Sequence, residues 1–480
     1  MQPPAPGGRD MVSESLYRRL VPDAPLHRRT DRDPVSDVSQ ARYESLRAAT
    51  PPTPGLTDPR LHSTWQGRIE QVLFAFPAWA VDEPESATAY RSVIEALRPG
   101  TEFVVVHSAS ARDTVEEWFR SAGHTDTATY VPLADYVSFT DWAEDAYVAL
   151  ADAIDDTRYL MEPWEFQRAG DALIADAVEE FTGIRASQAP LIFQGGNCLI
   201  GDDFWLLGTD YFADSIALLR RGRAPVQLPD GADVGAAVRR LFHDYIDAGR
   251  RLILLGTRKP IAVPDFRGRR EGDEYFLDLP SGGTGAFQPI FHIDMFVTLV
   301  GREDDRFVVL VGDPAQADEL LGSTSPYDLR EVYDQLAAAL AAAGFDVRRN
   351  PLVHRSTPAQ RLSLADLRAI ADQEQDPALT QAVRELAAAG ATDDTSVTVR
   401  EWHHVTWNNC LVENSAAAGR HVYLPTFGHG DDSDLAVIDR HMTELWEGFG
   451  FEVHLLADFN SFARRQGVVH CIKKYLRRGE

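Results

Sequence analysis

Short apolar strands alternate with amphipathic helices from Gln66 onward, and this alternation constrains the fold more than any other feature of the sequence. Residues 72–76 predict a buried strand, residues 86–97 have helical spacing, and residues 103–106 predict the next strand. The same order recurs further along the chain. Strands that alternate with helices in this way are typical of α/β proteins. We therefore predict an α/β fold.

The composition divides the chain into a tail and one large folded domain. Residues 1–60 are rich in Pro, Arg, Asp and Ser and close on the sequence PPTPG, which predicts a disordered, flexible N-terminal tail with a helix around residues 38–49. Residues 61–480 carry the alternating pattern and are predicted to form a single domain. Within it, the Ala-rich residues 356–395 predict a helical insertion at the periphery.

The net charge of -26 argues against a nucleic-acid partner, because binding to phosphates needs clustered Lys and Arg. The same charge favours a cationic substrate, although it fits equally well an acidic surface that serves solubility. Apolar runs are too short for a membrane span, and the N-terminus has no apolar segment of a signal peptide. The predicted location is cytoplasmic, without a membrane partner.

Three cysteines, at positions 198, 410 and 471, are too few for a disulfide framework or a thiolate metal site and are predicted to be free thiols. Cys471 follows Gly467 within a short β-branched run, residues 468–472, which predicts a final strand at a cleft. A buried cysteine is often only a small apolar side chain. The alternative is a thiolate nucleophile, which needs acids, a base and amides from elsewhere in the chain.

Candidate acids and a candidate base lie in two segments. Asp145 is the last of three acids within five residues, after Asp141 and Glu144, and a turn explains only the first of them. Residues 289–299 predict a strand that places His292 and Asp294 on one face. Such a pair can bind a metal, but no third ligand cluster accompanies it. Acid-base use, with no metal, is therefore the prediction.

Amides and glycines mark two further segments. Gly195 and Gly196 interrupt an apolar run, which indicates that another group approaches the backbone there. The chain has six Asn, and four of them, Asn197, Asn408, Asn409 and Asn414, lie in this glycine turn or in residues 405–414, which predict a strand. Residues 163–182, by contrast, predict one long helix with Pro163 in its first turn. Amides in otherwise apolar segments indicate loops that are fixed around a site.

Taken together, these segments resemble the guanidino-group-modifying (pentein) superfamily, which includes peptidylarginine, agmatine and arginine deiminases and amidinotransferases. The resemblance rests on five motifs in the same order as in that superfamily: Trp142-Ala143-Glu144-Asp145, Gly195-Gly196-Asn197, His292-Ile293-Asp294, the Asn-rich residues 406–414, and residues 467–471, which end on His470-Cys471. The last motif is most similar to the peptidylarginine deiminases. Gln194 stands where agmatine and arginine deiminases have Glu, and Glu144 stands where agmatine deiminases have Arg, so the substrate stays open.

The resemblance implies a fold and a reaction. The fold would be a five-bladed, pseudo-symmetric α/β propeller of ββαβ units, with residues 61–480 as the catalytic domain. Asp145 and Asp294 would bind a guanidinium, the Cys471 thiolate would attack its carbon, and His292 would protonate the departing ammonia and then activate water. The residues expected to contact the substrate are Trp142, Gln194, Gly196, Asn197 and Asn409.

The expected activity is a deiminase that acts on a small-molecule or peptidyl guanidino substrate, without a cofactor. Two alternatives remain from the sequence: an amidinotransferase that uses the same cysteine intermediate, and a non-catalytic binding protein with the same fold. The sequence leaves homo-oligomerisation open.

Overall fold

The computed structural model describes residues 13–23, 37–49, 56–262, 265–280 and 283–479. The helices within these ranges, numbered α1 to α14 in chain order, are Glu14–Leu20, Asp37–Ala49, Ala78–Asp82, Pro84–Ala96, Arg112–Ser121, Ile174–Phe181, Thr209–Arg220, Val234–Tyr245, Pro314–Leu321, Arg330–Ala342, Leu364–Glu374, Pro377–Ala388, Ala436–Gly448 and Asn460–Arg464. The strands, β1 to β20, are Pro59–Leu61, Ile69–Phe76, Glu102–Ser108, Ala128–Leu133, Val148–Asp152, Arg158–Glu162, Arg185–Gln188, Cys198–Ile200, Phe204–Gly208, Arg251–Leu255, Arg267–Glu271, Glu274–Asp278, Val297–Glu303, Arg306–Asp313, Asp346–Ser363, Ser396–Thr406, Leu411–Ser415, Gly419–Thr426, Glu452–Asp458 and Lys473–Arg478. The predicted α/β class is confirmed.

A repeated unit builds most of the described sheets. In it, two antiparallel strands are followed by one or two helices and then by a third strand parallel to the second. The unit occurs as β5-β6-β7, β8-β9-β10, β13-β14-β15 and β17-β18-β19. A further sheet, in the order β20-β2-β3-β4, joins the last strand of the chain to the start of the domain.

Strand β2 shows how the sequence determines the packing. It pairs in parallel with β3, and side chains packed on the sheet bury both of its faces, so its residues are apolar without alternation from Val72 to Phe76. Val72, Phe74 and Phe76 pack into one hydrophobic cluster, and Leu73 and Ala75 pack into another. On its other side β2 pairs with β20, where Phe74 lies opposite Lys473. This pairing fixes the chain that follows Cys471.

The sheet that contains β13, β14 and β15 continues into an extension with its own hydrophobic core. Strand β15 is 18 residues long, and its residues 352–363 pair with β16, beyond which β12 and β11 complete the six-stranded order β11-β12-β16-β15-β14-β13. Helices α11 and α12 cover this extension, and Leu367 and Leu379 are among its buried residues. Helix α11 begins at a capping box formed by Ser363 and Asp366. The two helices lie within the predicted helical insertion, residues 356–395, but residues 356–363 of it belong to strand β15, where they pair with β16.

The described parts of the predicted tail contain two helices. Helix α1 buries Leu16 and Leu20 against the core of the extension, and helix α2 buries Tyr43 against a second cluster. The helix predicted around residues 38–49 corresponds to α2. Residues 1–12, 24–36 and 50–55 lie outside the described residues, so the flexibility predicted for residues 1–60 stays a prediction there.

Four predicted elements near the motifs are wrong in their bounds. The predicted helix over residues 163–182 begins only with a 3₁₀ turn at Asp171–Leu173 and continues as α6. Residues 289–299 form a 3₁₀ turn at Ile293–Met295 and only then strand β13, so His292 and Asp294 do not share a strand face. Residues 407–410 connect two strands, and residues 468–472 form a turn before β20. In two of these places, the turn at His292 and the turn at Cys471, an asparagine side chain from a distant segment binds the local backbone, as the next subsection describes.

Among the described helices, none is long and apolar enough to cross a membrane.

Candidate active site

Cys471 lies in a turn between α14 and β20, and Asn409 fixes this turn. The Asn409 side-chain oxygen accepts hydrogen bonds from the backbone N–H groups of His470, at 2.9 Å, and of Cys471, at 3.3 Å. The same oxygen lies 3.2 Å from the Cys471 sulfur, and the Val468 N–H donates to that sulfur at 3.3 Å. Asn409 therefore holds both the backbone and the thiol of the predicted nucleophile.

Asp294 faces Cys471 from the 3₁₀ turn at Ile293–Met295. Its Oδ2 atom lies 3.9 Å from the Cys471 sulfur and 3.0 Å from His470 Nδ1. Burial lowers the pKa of His470, and Lys473 acts in the same direction. A neutral His470 that carries its proton on Nδ1 donates to Asp294. The carboxylate is thus oriented beside the thiol.

His292 is buried between a tyrosine and a carboxylate. Its Nε2 atom lies 3.0 Å from the Tyr211 hydroxyl, and its Nδ1 atom lies 3.8 Å from Asp145 Oδ1. The turn that follows is held by Asn197, whose side-chain oxygen accepts from the Ile293 N–H at 3.0 Å. The glycine turn therefore contributes to the site by fixing the His-x-Asp segment.

Asp145 already binds a guanidinium, which belongs to Arg168. Arg168 Nη2 donates to Asp145 Oδ2 at 2.7 Å, and Arg168 Nε donates to Asp171 at 2.5 Å. Asp171 in turn accepts from the backbone N–H and the hydroxyl of Thr140, both at 2.6 Å. Burial opposes the charge on Arg168, but the two carboxylates outweigh it and raise the pKa of Arg168. The three charged groups retain one net negative charge.

The segment that carries Arg168, residues 163–170, has no regular secondary structure and contacts Asp145 through Arg168. Its Gln167 accepts a hydrogen bond from Gln194 at 3.1 Å. Asp145, His292, Asp294 and Cys471 are each at most 1% exposed. A cavity of about 10 Å³ beside Asp294 is at the lower limit of what a water molecule needs. A guanidino compound therefore reaches Cys471 only if the residues around it move.

Glu144 forms a second buried charge cluster with Lys473 and Lys474, which follow Cys471 closely in the sequence. Its carboxylate accepts from Lys473 and from Lys474, each at 2.8 Å. Burial opposes the ionisation of Glu144, but the two ammonium groups outweigh it and lower its pKa. Burial also lowers the pKa of Lys473 to about 8, against the opposing effect of Glu144.

The predicted glycine turn packs closely against this charge cluster. A Cβ atom at Gly195 would lie 2.0 Å from the Glu144 carbonyl oxygen and 2.3 Å from Lys474 Nζ. Neither contact is compatible with a side chain, because real Cβ contacts are longer. The close approach to the backbone that the sequence predicted is therefore present, and protein groups make it. The neighbouring Gly196 is buried in the same turn.

Trp142 packs against the turn that carries Cys471. A Cβ atom at Gly467 would lie 2.3 Å from the Trp142 ring, and the Arg465 guanidinium stacks over that ring at 4.8 Å. Arg465 also binds Asp141 through two hydrogen bonds of 2.8 and 2.9 Å. Through these contacts, Trp142 and Asp141 pack against the turn that carries Cys471. A direct contact of Trp142 with substrate stays a prediction.

Most of the predicted site residues form one connected group. Contacts run from Cys471 through Asn409 to Asp294 and, on the other side of the His-x-Asp turn, from His292 to Asp145. Sequence reasoning missed Arg168, Tyr211 and the role of His470. Only His470 had a signal, because it lies next to Cys471 in the last motif. The roles of all these residues in catalysis or substrate binding stay predictions.

Comparison with known proteins supports the fold. No family sequence model matches the chain. No curated protein sequence was found to match it either. Among solved structures, the agmatine deiminase of C. jejuni matches with a TM-score of 0.50 and 10% identity, over 87% of this chain and 96% of that chain. A protein assigned as an arginine deiminase from Porphyromonas gingivalis matches with a TM-score of 0.50 and 14% identity, over 86% of this chain and 97% of that chain.

The predicted resemblance to the pentein superfamily is thus confirmed at the level of the fold. At these identities the likeness concerns the fold and not the reaction.

Proposed function

We propose that the chain is a guanidino-group hydrolase, a deiminase that converts an arginine-like guanidinium to a ureido product and ammonia. One observation carries the proposal: a buried thiol, a carboxylate within 3.9 Å of it, and a histidine within 3.8 Å of a second carboxylate come from three distant segments of the sequence. These are the groups that attack on a planar, positively charged carbon requires. The likeness in fold to proteins described as agmatine and arginine deiminases supports this choice.

Each group has a step in the proposed reaction. The Cys471 thiolate forms a bond to the guanidinium carbon, and the C–N bond breaks as ammonia leaves with a proton from His292. Water then attacks the resulting thiouronium carbon and gives its proton to His292. The C–S bond breaks, the thiolate is released, and the carbon keeps oxygen in place of nitrogen. An amine in place of water would make the chain an amidinotransferase.

Binding of the guanidinium is proposed at the Oδ1 atom of Asp145 and at Asp294. Arg168 occupies the Oδ2 atom of Asp145, and the group of Asp145, Arg168 and Asp171 retains one net negative charge. Asp294 adds a second carboxylate beside the sulfur. A cation is therefore still attracted to the site, once the residues around Asp145 and Cys471 move to admit it.

We also infer that the five sheets are the five blades of a closed propeller. Four of them repeat one strand order, and the pairing of β20 with β2 joins the two ends of the domain, which supports closure. The protein would then have one central cleft, with the motifs around it.

Release of ammonia from free arginine, agmatine and an arginyl peptide tests the proposal, with Cys471→Ala as the matched control. We expect one of these substrates to give ammonia with the natural chain only, and intact-mass analysis to detect an adduct on Cys471. Ammonia release that Cys471→Ala retains would contradict the mechanism.

A binding protein without turnover is the second candidate, and the Arg168–Asp145 pair favours it, because a guanidinium already contacts the acid predicted to bind substrate. In that case guanidino compounds would bind without ammonia release, and Cys471→Ala would bind them equally well.

A further inference from the structure

Two histidines and a glutamate converge on the sheet β17-β18-β19, away from the predicted nucleophile. His421 and Glu452 are direct partners across the parallel strands β18 and β19, and His454 is paired with Tyr423 in the next register position on the same sheet face. Each of the three offers a ligand atom, and these atoms all lie within 4.8 Å of one another. The proposed reaction uses none of these side chains.

The separations of the ligand atoms match those around one metal ion. His421 Nδ1 lies 3.1 Å from His454 Nε2 and 3.5 Å from Glu452 Oε2, and His454 Nε2 lies 3.8 Å from the other oxygen, Glu452 Oε1. Two nitrogen ligands about 2.05 Å from a tetrahedral Zn²⁺ ion are about 3.3 Å apart. The two histidine nitrogens therefore need shifts of only a few tenths of an ångström, and rotation of the exposed Glu452 side chain brings one of its oxygens to the ion.

The surroundings orient the histidines for this purpose. His421 Nε2 lies 3.0 Å from the Ala418 carbonyl oxygen and can donate its proton there, which leaves the lone pair on Nδ1 directed to the cluster. A ring N–H bound to a carbonyl is the usual second contact of a histidine that binds metal. The Tyr423 ring stacks on His454 with centroids 4.9 Å apart. Arg98, the neighbouring cation, lies 3.7 Å from Glu413, which compensates its charge.

We propose that His421, Glu452 and His454 form a binding site for one divalent transition-metal ion, with Zn²⁺ as the best match. Two imidazoles and one carboxylate are a ligand set that zinc accepts, with water in the fourth position. Glu452 is 67% exposed and provides the open side from which ion and water enter. The bound ion would tie strand β19 to β18, ahead of the segment that leads to Cys471.

Titration of the metal-free full chain with Co²⁺ and Zn²⁺ tests the site. We expect one ion per chain, with the absorption spectrum of four-coordinate Co²⁺, and at least about ten-fold weaker binding in His454→Gln and in Glu452→Gln. The matched control is His243→Gln, an exposed histidine on α8 whose partner is Asp244. It should bind as the natural chain does.

Melting curves of the metal-free variants show whether they fold. If His454→Gln does not fold, Glu452→Gln still tests the site, because its substitution is at an exposed position. Zn²⁺ should raise the melting temperature of the natural chain and of His243→Gln only. Equal Co²⁺ affinity of the natural chain and Glu452→Gln, or an equal loss in His243→Gln, would overturn the proposal. Neither result depends on whether the chain releases ammonia.

Discussion

Arg168 binds Asp145 through a 2.7 Å hydrogen bond, with both side chains at most 1% exposed. The pair places an internal guanidinium against the acid that the sequence predicts to bind a substrate guanidinium. Because Arg168 also binds Asp171, which Thr140 holds in place, removal of Arg168 disturbs more than one contact. We infer that Arg168 positions Asp145 and directs the Oδ1 atom toward His292.

Asp145→Asn should therefore lose both stability and activity. Removing one partner of a buried ion pair costs about 3–5 kcal/mol of unfolding free energy. Loss of the charge opposite the substrate should lower kcat/KM by about thirty-fold to several thousand-fold, the equivalent of about 2–5 kcal/mol. Asp294→Asn should lose activity with a smaller loss of stability, because asparagine still accepts the hydrogen bond from neutral His470. Urea unfolding and steady-state kinetics on both variants measure this.

A double-mutant cycle of Asp145→Asn and Arg168→Met separates positioning from blocking. If Arg168 positions Asp145, each single variant lowers kcat, and the double variant loses less than the sum in both stability and activity. Higher activity of Arg168→Met than of the natural chain would instead mean that Arg168 blocks the substrate site.

The fold was predictable where local periodicity determines it. Residues 72–76 and 103–106 were predicted as strands because buried parallel strands are apolar on both faces, and both lie within strands of the structure. The helix predicted over residues 86–97 corresponds to α4, which begins with Pro84 in its first turn. These elements depend on neighbours in the sequence, so the sequence alone identifies them.

The site was predictable in its residue types but not in its backbone. The turn at His292 depends on a hydrogen bond from the Ile293 N–H to Asn197, which is 96 positions away. Residues 163–170 have the spacing of a helix, but Arg168 binds Asp145 instead, 23 positions away. Side-chain contacts over such distances leave no periodic signal in the sequence.

Replacement of the three cysteines should have unequal effects. Cys471→Ala should abolish turnover with the fold retained, whereas Cys198→Ala and Cys410→Ala should keep it. Burial raises the pKa of Cys198 and of Cys410 to about 12, so neither is a thiolate near neutral pH. Ammonia release and circular dichroism of the three variants check this. Loss of turnover in a folded Cys410→Ala variant as complete as in Cys471→Ala would contradict the assignment.

Lys473 should make stability depend on pH above neutrality. Its pKa is about 8 in the folded chain because of burial, whereas an unfolded lysine titrates near about 10.4. Between these values the unfolded chain holds a proton that the folded chain has lost, so the contribution of Lys473 to the unfolding free energy rises with pH. The destabilisation caused by Lys473→Met should therefore grow between about pH 8 and about pH 10. Lys259→Met, at an exposed position, is the control and should show no such growth. A difference in unfolding free energy between Lys473→Met and the natural chain that stays constant with pH would contradict the lowered pKa.

Gly467→Ala should destabilise the turn that carries Cys471, because the added Cβ atom would lie 2.3 Å from the Trp142 ring. That ring packs between Arg465 and Phe462 and has little room to move. Overpacking of this kind costs about 1–3 kcal/mol, and the backbone shift displaces Cys471, four residues on, from Asn409. We expect a lower melting temperature and a lower kcat, with KM less affected. Gly448→Ala, where a Cβ atom meets no neighbour within 4 Å, is the matched control. Because Trp142→Phe removes the ring atoms in the clash, the double variant Gly467→Ala/Trp142→Phe should recover part of the melting temperature and part of kcat. Full activity of Gly467→Ala alone would show that the Trp142 ring does not set the position of Cys471.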